Sequence, residues 1–218
     1  MAAATAEELE VKNSTESAQN FIDWFYTAVS DRNPLASFYV NSNSKYATAG
    51  VAADIAINGL VCAQPADFEA LLARQATGSR TGAANGNAIA TSASTSSSSS
   101  NPATRVRYDV DGFDVHVLNP QFRLACPAPL QQRLDAPPTG SGGASNNASQ
   151  QRQLQQRAVS LLVQVTGHVQ YGGGKDAPRG AFTEVFVLVP NWDVLAAGPK
   201  APRGMRHYLI QSQTFRAL

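Results

Sequence analysis

Cysteine is scarce in this chain of 218 residues: only Cys62 and Cys126 are present, and they form neither a CxxC pair nor a metal-type pattern. Two thiols in a chain this long argue against a disulfide framework and for a reducing compartment. No apolar run reaches membrane length and no secretory leader is visible, so the sequence reads as an intracellular soluble protein with no membrane role and unmodified sequons at Asn13 and Asn147. Catalytic signatures are missing too. There is no GxSxG, no metal-ligand spacing and no phosphate-cradling loop, and "GGGKDAPRG" lacks the strand-glycine-helix context that a P-loop requires. No cofactor is expected. Charge of one sign does not dominate: the net value is +1, with nine acids and four bases in residues 1–77 and seven acids and thirteen bases beyond. That asymmetry is too mild to indicate a nucleic-acid binder.

Large apolar residues are nearly absent from two segments, 78–104 and 136–157, which are rich in Gly, Ser, Asn and Gln. Such stretches cannot bury enough surface to offset the entropy of ordering, and both are expected to be long mobile loops. About 170 residues remain, enough for one independent core. The chain reads as a single domain, with a core of about 15–77 and 105–218.

Aromatics, by contrast, crowd one place. Six of the seventeen fall in residues 20–40, "NFIDWFYTAVSDRNPLASFYV". Ala18, Phe21, Ile22, Phe25, Ala28 and Val29 recur at three- and four-residue spacing, the apolar stripe of an amphipathic helix. Asn13, Ser14 and Thr15 are available caps, and Asn33-Pro34 ends the helix. A short second helix is expected over "PLASFYV" and a third over "PADFEALLARQ". The rest is patterned as strands. From Val159 to Tyr171 apolar and polar residues alternate; "AFTEVFVLVP", "RHYLIQSQTFRAL" and "FDVHVLNPQF" follow suit, and "ADIAINGLVC" carries an Asn58-Gly59 turn. Asp111-Gly112 reads as a bulge within one long strand rather than as a hairpin. Helices first and strands after imply an α+β fold, with three N-terminal helices covering the concave face of a curved antiparallel sheet.

In order, helix-one "FYTAVSDR", the "L..FY" segment, "NG", "VTGHVQY", "FTEVFVLVP" and a terminal "TFR" resemble the nuclear transport factor 2 fold family over about residues 15–77 and 105–218. Within that superfamily the chain is most similar to the small subunit of the heterodimeric mRNA export receptor in its fungal form. The superfamily holds enzymes working inside the cone, homodimeric carriers of the GTPase Ran in its GDP form, and non-catalytic heterodimer subunits, so the fold alone settles nothing. Phe21, Phe25, Val163, Val165, Val169, Phe182, Phe186, Leu188 and Phe215 are expected to point inward, and none can move a proton. Glu184 is the one inward acid, without an obvious His or Tyr partner; His116 and His207 read as structural histidines. The carrier reading expects an acidic loop where this chain has Lys175 and Arg179 against Asp176 alone.

Parity assigns Gln164, Thr166, His168, Gln170, Thr183, Val185, Val187, Tyr208, Ile210, Ser212, Thr214 and Arg216 to the outer sheet face. A mixed apolar and hydrogen-bonding row of this kind suits the core of a protein interface. The resemblance implies that the large receptor subunit docks there, that its carboxylate meets Arg216, and that the pair contacts phenylalanine-glycine nucleoporins while carrying mRNA. It also implies a nuclear and pore location with shuttling to the cytoplasm, and a link to pre-ribosomal particles in some relatives. Lys200, Arg203 and Arg206 are candidate RNA contacts, although a solvated loop accounts for them as well.

Overall fold

The computed structural model describes residues 5–77, 106–136, 145–171, 178–202 and 204–218. Helix α1 (Ala6–Asp31) begins well before the expected caps, because Thr5 and Glu8 form a reciprocal capping box: Glu8 N donates to Thr5 Oγ1 at 3.2 Å and Thr5 N to Glu8 Oε2 at 2.7 Å. It ends where Arg32 turns left-handed (φ 56°). The expected stripe is buried, and Tyr26 is buried with it.

In place of a second helix over "PLASFYV", the chain makes two 3-10 turns, Ala36–Phe38 and Val40–Ser42, before the short helix α2 (Ser44–Thr48). Phe38, Tyr39 and Val40 are consecutive and all fully buried, and a 3-10 path directs neighbouring side chains into the core where one helical stripe could not. Strands β1 (Asp54–Ile57) and β2 (Leu60–Cys62) form the expected hairpin, with Asn58 (φ 52°) and Gly59 (φ 85°) both in the left-handed region that a two-residue hairpin turn demands. Helix α3 (Pro65–Thr77) follows as read. The segment 78–104 lies outside the described residues.

Four long strands complete a six-stranded sheet: β3 (Val106–Asn119), β4 (Ser160–Tyr171), β5 (Arg179–Pro190) and β6 (Tyr208–Ala217), in the order β2-β1-β6-β5-β4-β3. Neighbours are antiparallel except β1 and β6, which run parallel. Strand β3 is continuous, with Asp111 as the bulged residue between Val110, opposite Gly167, and Gly112, opposite Thr166. The register of β3 shifts again at Leu118, between Val117 opposite Leu161 and Asn119 opposite Ser160, and a further bulge, unread in the sequence, sits in β6. Val187 faces Ser212, but Leu188 faces Ile210, so Gln211 is supernumerary.

Three further helices were not anticipated. Helix α4 (Ala128–Asp135) starts after Pro127 and buries Leu130 and Leu134. Helix α5 (Ser145–Arg157) corrects the reading of 136–157 as a loop over its last part, while 137–144 lie outside the described residues. Its anchors are few: Leu154 is buried, Asn13 Nδ2 donates to Gln156 Oε1 at 2.7 Å, and Gln155 Nε2 donates to the Leu134 carbonyl at 3.0 Å. Gln and Arg are good helix formers and one well-placed leucine supplies the apolar contact, a combination that bulk composition conceals. Helix α6 (Trp192–Ala197) is capped by Asn191 and buries Trp192, whose Nε1 donates to the Leu124 carbonyl at 2.9 Å.

The aromatic concentration closes the concave face. Phe21, Phe25, Phe38 and Phe186 pack mutually, with centroid separations of 5.1 to 6.3 Å for the contacting pairs. Deeper toward β3, Tyr26, Tyr108, Phe182 and Phe215 form a second group. Mostly tilted and edge-on geometries of this kind add to simple area burial.

Candidate partner interface

On the outer sheet face, strand register assembles side chains into rows. Leu162, Val187 and Ser212 stand side by side on β4, β5 and β6; the next row is Gln164, Val185 and Thr214, and the next Thr166, Thr183 and Arg216. Across β1 the rows extend to Asp54 beside Ser212 and Ala56 beside Thr214. His168 lies one step further along β4, its Nδ1 2.7 Å from Asp111 Oδ2 in a contact not aligned as a hydrogen bond. Gln170 shares the face at the strand's end, opposite Arg107 on β3 and Arg179 on β5. All of these residues are half-buried or exposed. The face is therefore a mixed surface of two valines and a leucine set among hydroxyls and amides.

Two assignments to this face are corrected. Tyr208 and Ile210 are 4% and 0% exposed and belong to the concave side, opposite Pro190 and Leu188. The cause is the bulge at Gln211: one extra residue reverses the parity of β6, so the strand faces inward with Tyr208 and Ile210 before it, and with Gln213 and Phe215 after it. Ser212, Thr214 and Arg216 keep the outward orientation read for them. Leu162, which was not singled out, takes the apolar place assigned to Ile210. Its signal was present in the alternation, since it shares parity with Gln164.

Arg216 is exposed and its side chain has no ion pair or hydrogen bond among the described residues. The β1–β2 turn fixes where it stands. Asn58 N donates to the Phe215 carbonyl and Ala217 N to Asn58 Oδ1, both at 2.8 Å, clasping the backbone on either side of it. A methyl on Gly59 would meet Arg216 Nη1 at 3.3 Å, so the guanidinium leans over that turn.

Behind the sheet lies the inward acid. Glu184 is 1% exposed, and the expectation that it lacks a tyrosine partner is overturned. Tyr26 Oη donates to its Oε2 at 2.5 Å, Gln213 Nε2 donates to its Oε1 at 2.6 Å, and Tyr39 Oη donates to Gln213 Oε1 at 2.5 Å. Tyr26 falls outside the stripe from which the partner could have been read. Burial pushes the Glu184 carboxyl up to about 7, against the lowering effect of its two donors. Burial, then the Glu184 charge, raises Tyr26 well above its ordinary value. The chain of donors fills the space between helix and sheet with satisfied polar groups. A groove between α1 and β3 has Tyr26 in its wall, but Glu184 does not line it.

The remaining candidates separate. Lys200 is exposed in the 3-10 turn Gly198–Lys200, and Arg203 lies outside the described residues. Arg206 is packed rather than free: its guanidinium carbon lies 3.5 Å above the centre of the Phe38 ring. Lys200 and Arg206 therefore do not form a pair of solvated cations. His116 is exposed on the outer face beside Leu162, not structural as read. Of the loop between β4 and β5, Lys175 and Asp176 fall outside the described residues, while Arg179 is exposed. Among the described residues there is no cluster of three or more potential metal ligands, and no helix is long and apolar enough to cross a membrane.

Comparison with known proteins gives one kind of match. No family model matches the sequence, and no curated protein does. Solved structures do. A chain in a structure of a Sac3N peptide bound to Mex67:Mtr2 superposes with a TM-score of 0.70 and 31% identity, covering 94% of this chain and 99% of the other. A structure of Mtr2 gives 0.67 and 32%, with 94% and 99% covered. A chain of the Chaetomium thermophilum Mex67 NTF2-like domain complexed with Mtr2 gives 0.67 and 31%, with 94% and 98% covered.

Proposed function

Because the chain belongs to the Mtr2 family of nuclear transport factor 2-like proteins, we propose that it is the non-catalytic small subunit of a heterodimeric mRNA export receptor. Its outer sheet face docks on the nuclear transport factor 2-like domain of a large subunit, the counterpart of Mex67 in the similar complexes. The pair shuttles between nucleus and cytoplasm through the nuclear pore, contacting phenylalanine-glycine nucleoporins and carrying mRNA and pre-ribosomal particles.

One observation carries the reading: a sheet face with Leu162, Val185 and Val187 half-buried in adjacent positions ends in an arginine that has no side-chain partner among the described residues. A monomer gains nothing from that arrangement, whereas a partner sheet would cover the aliphatic row and supply hydroxyl and amide pairing at its rim. The non-catalytic part rests on the cone, where Glu184, the one buried acid among the described residues, is satisfied by two donors.

Calorimetric titration against the purified large-subunit domain tests the proposal. Arg216→Ala should cost about 2–5 kcal/mol of binding, largely by stranding a carboxylate on the partner. Arg216→Lys should recover only part of this, since an ammonium cannot reproduce a two-pronged guanidinium contact, and Arg216→Glu should be worse than Ala. An Ala variant within about 0.5 kcal/mol of wild type places Arg216 in solvent and removes the anchor from the proposed face.

A further inference from the structure

Where α1, the end of α5 and the segment before β6 meet, a cleft of about 150 Å³ opens to solvent. Arg157, Arg206 and His207 line it, and neither arginine has an ion pair among the described residues. Arg206 is held in place by the Phe38 ring beneath it, and its buried Nε has no hydrogen-bond acceptor among the described residues. The one carboxylate in the wall, Glu16, is largely exposed and reaches toward Lys12 at 3.9 Å. Two guanidinium groups thus line the cleft, neither of them ion-paired among the described residues. Burial lowers the pKa of Arg206, and burial together with the Arg157 charge lowers that of His207. At the rim stands Trp24, 44% exposed, a large flat side chain on the solvent side of a helix whose other aromatics are buried.

We propose that this cleft binds a phosphate monoester, its oxyanion between Arg157 and Arg206 and its flat ring stacked on Trp24. An oxyanion supplies a counter-charge to the two arginines, in the charge-assisted pairing arginine favours. The space holds a phosphate group but not a whole nucleotide, so the ring must lie outside on the tryptophan. Phe21 and Tyr208, both concave-side residues, form the cleft's floor, which sets it apart from the outer sheet face. The site therefore stands or falls independently of the pairing proposed above.

Titrating the full chain with inorganic phosphate, AMP and adenosine, read by tryptophan fluorescence and calorimetry, tests this. Trp192 is fully buried, so the fluorescence response reports on Trp24. Phosphate and AMP should bind saturably, AMP more tightly, and adenosine should not bind. Arg157→Gln, at an exposed position, should weaken both anions about tenfold, the factor of a lost charge-assisted hydrogen bond, and should leave large-subunit binding unchanged. Trp24→Leu should reduce AMP to the affinity of phosphate. Absence of saturable binding, or an Arg157→Gln variant that binds as wild type does, overturns the site; AMP binding no tighter than phosphate overturns the role of Trp24.

Discussion

Replacing Glu184 by glutamine should make the protein more stable, and increasingly so as the pH rises. The wild-type carboxyl has a folded-state pKa of about 7 against 4.5 for an unperturbed glutamate. Below the lower value both states are protonated and burial of the group carries no ionic cost. Between the two values the unfolded chain ionises first, so the folded state loses ground as pH rises. Above about 7 the full cost is present. A gap of about 2.5 pKa units corresponds to roughly 3 kcal/mol. Two donors temper that cost without cancelling it: Tyr26 at 2.5 Å and Gln213 at 2.6 Å both favour the ionised form, yet the complete loss of solvent outweighs them. Glutamine keeps the shape, can still accept from one donor, and offers its amide protons to the Tyr26 oxygen. It has no ionised form. In urea unfolding of the chain followed by circular dichroism, the stability of Glu184→Gln minus that of wild type should therefore grow by about 2.5 kcal/mol between about pH 5 and pH 8. A constant offset from repacking does not affect this difference. Tyr26→Phe, which removes one donor, should move the wild-type midpoint upward. If the difference is flat with pH, or shrinks, the buried group is not a glutamic acid ionising near neutrality and the reasoning fails.

Other expectations follow from single contacts. A methyl at Gly167 would stand 2.3 Å from the Asp109 carbonyl and 2.8 Å from the Phe182 ring, so Gly167→Ala should destabilise by more than about 2 kcal/mol in the same unfolding assay. Leu154→Ala should cost about 2–3 kcal/mol if α5 is docked as described; no change would mean that the helix does not pack. Ile210→Thr should lower stability severely, while Val187→Thr should leave the fold intact and weaken only large-subunit binding, because the two side chains point to opposite sides of the sheet.

What the sequence made legible is what repeats with a period. The α1 stripe, the alternation through β4 and the Asn58-Gly59 hairpin are each local patterns, and each reappears in place. The β3 bulge was readable because Asp-Gly marked it. The β6 bulge was not, since Gln211 is an ordinary residue and the register there is set by pairing with β5. Helix α5 escaped because one leucine in thirteen residues gives no periodic signal, and its anchors, buried Leu154 and the contacts of Gln151, Gln155 and Gln156 to α4 and α1, lie far away in sequence. The tyrosine partner of Glu184 lies 158 positions away in sequence, a separation that no window can bridge.

Strand β6 performs two trades along ten residues, and Gln211 is where it changes from one to the other. Upstream, its side chains answer to the interior and tolerate only apolar substitutes; downstream, alternate positions answer to whatever covers the sheet. A substitution at Gln211 is a small matter, but its removal is not, because every side chain on one flank would then be delivered to the wrong clientele. Length at that position is thus more constrained than chemistry. Drift should be free to rewrite the letter at 211 while counting residues between Ile210 and Ser212 with great strictness, so that the register of the strand acts as an inherited measure rather than an inherited word.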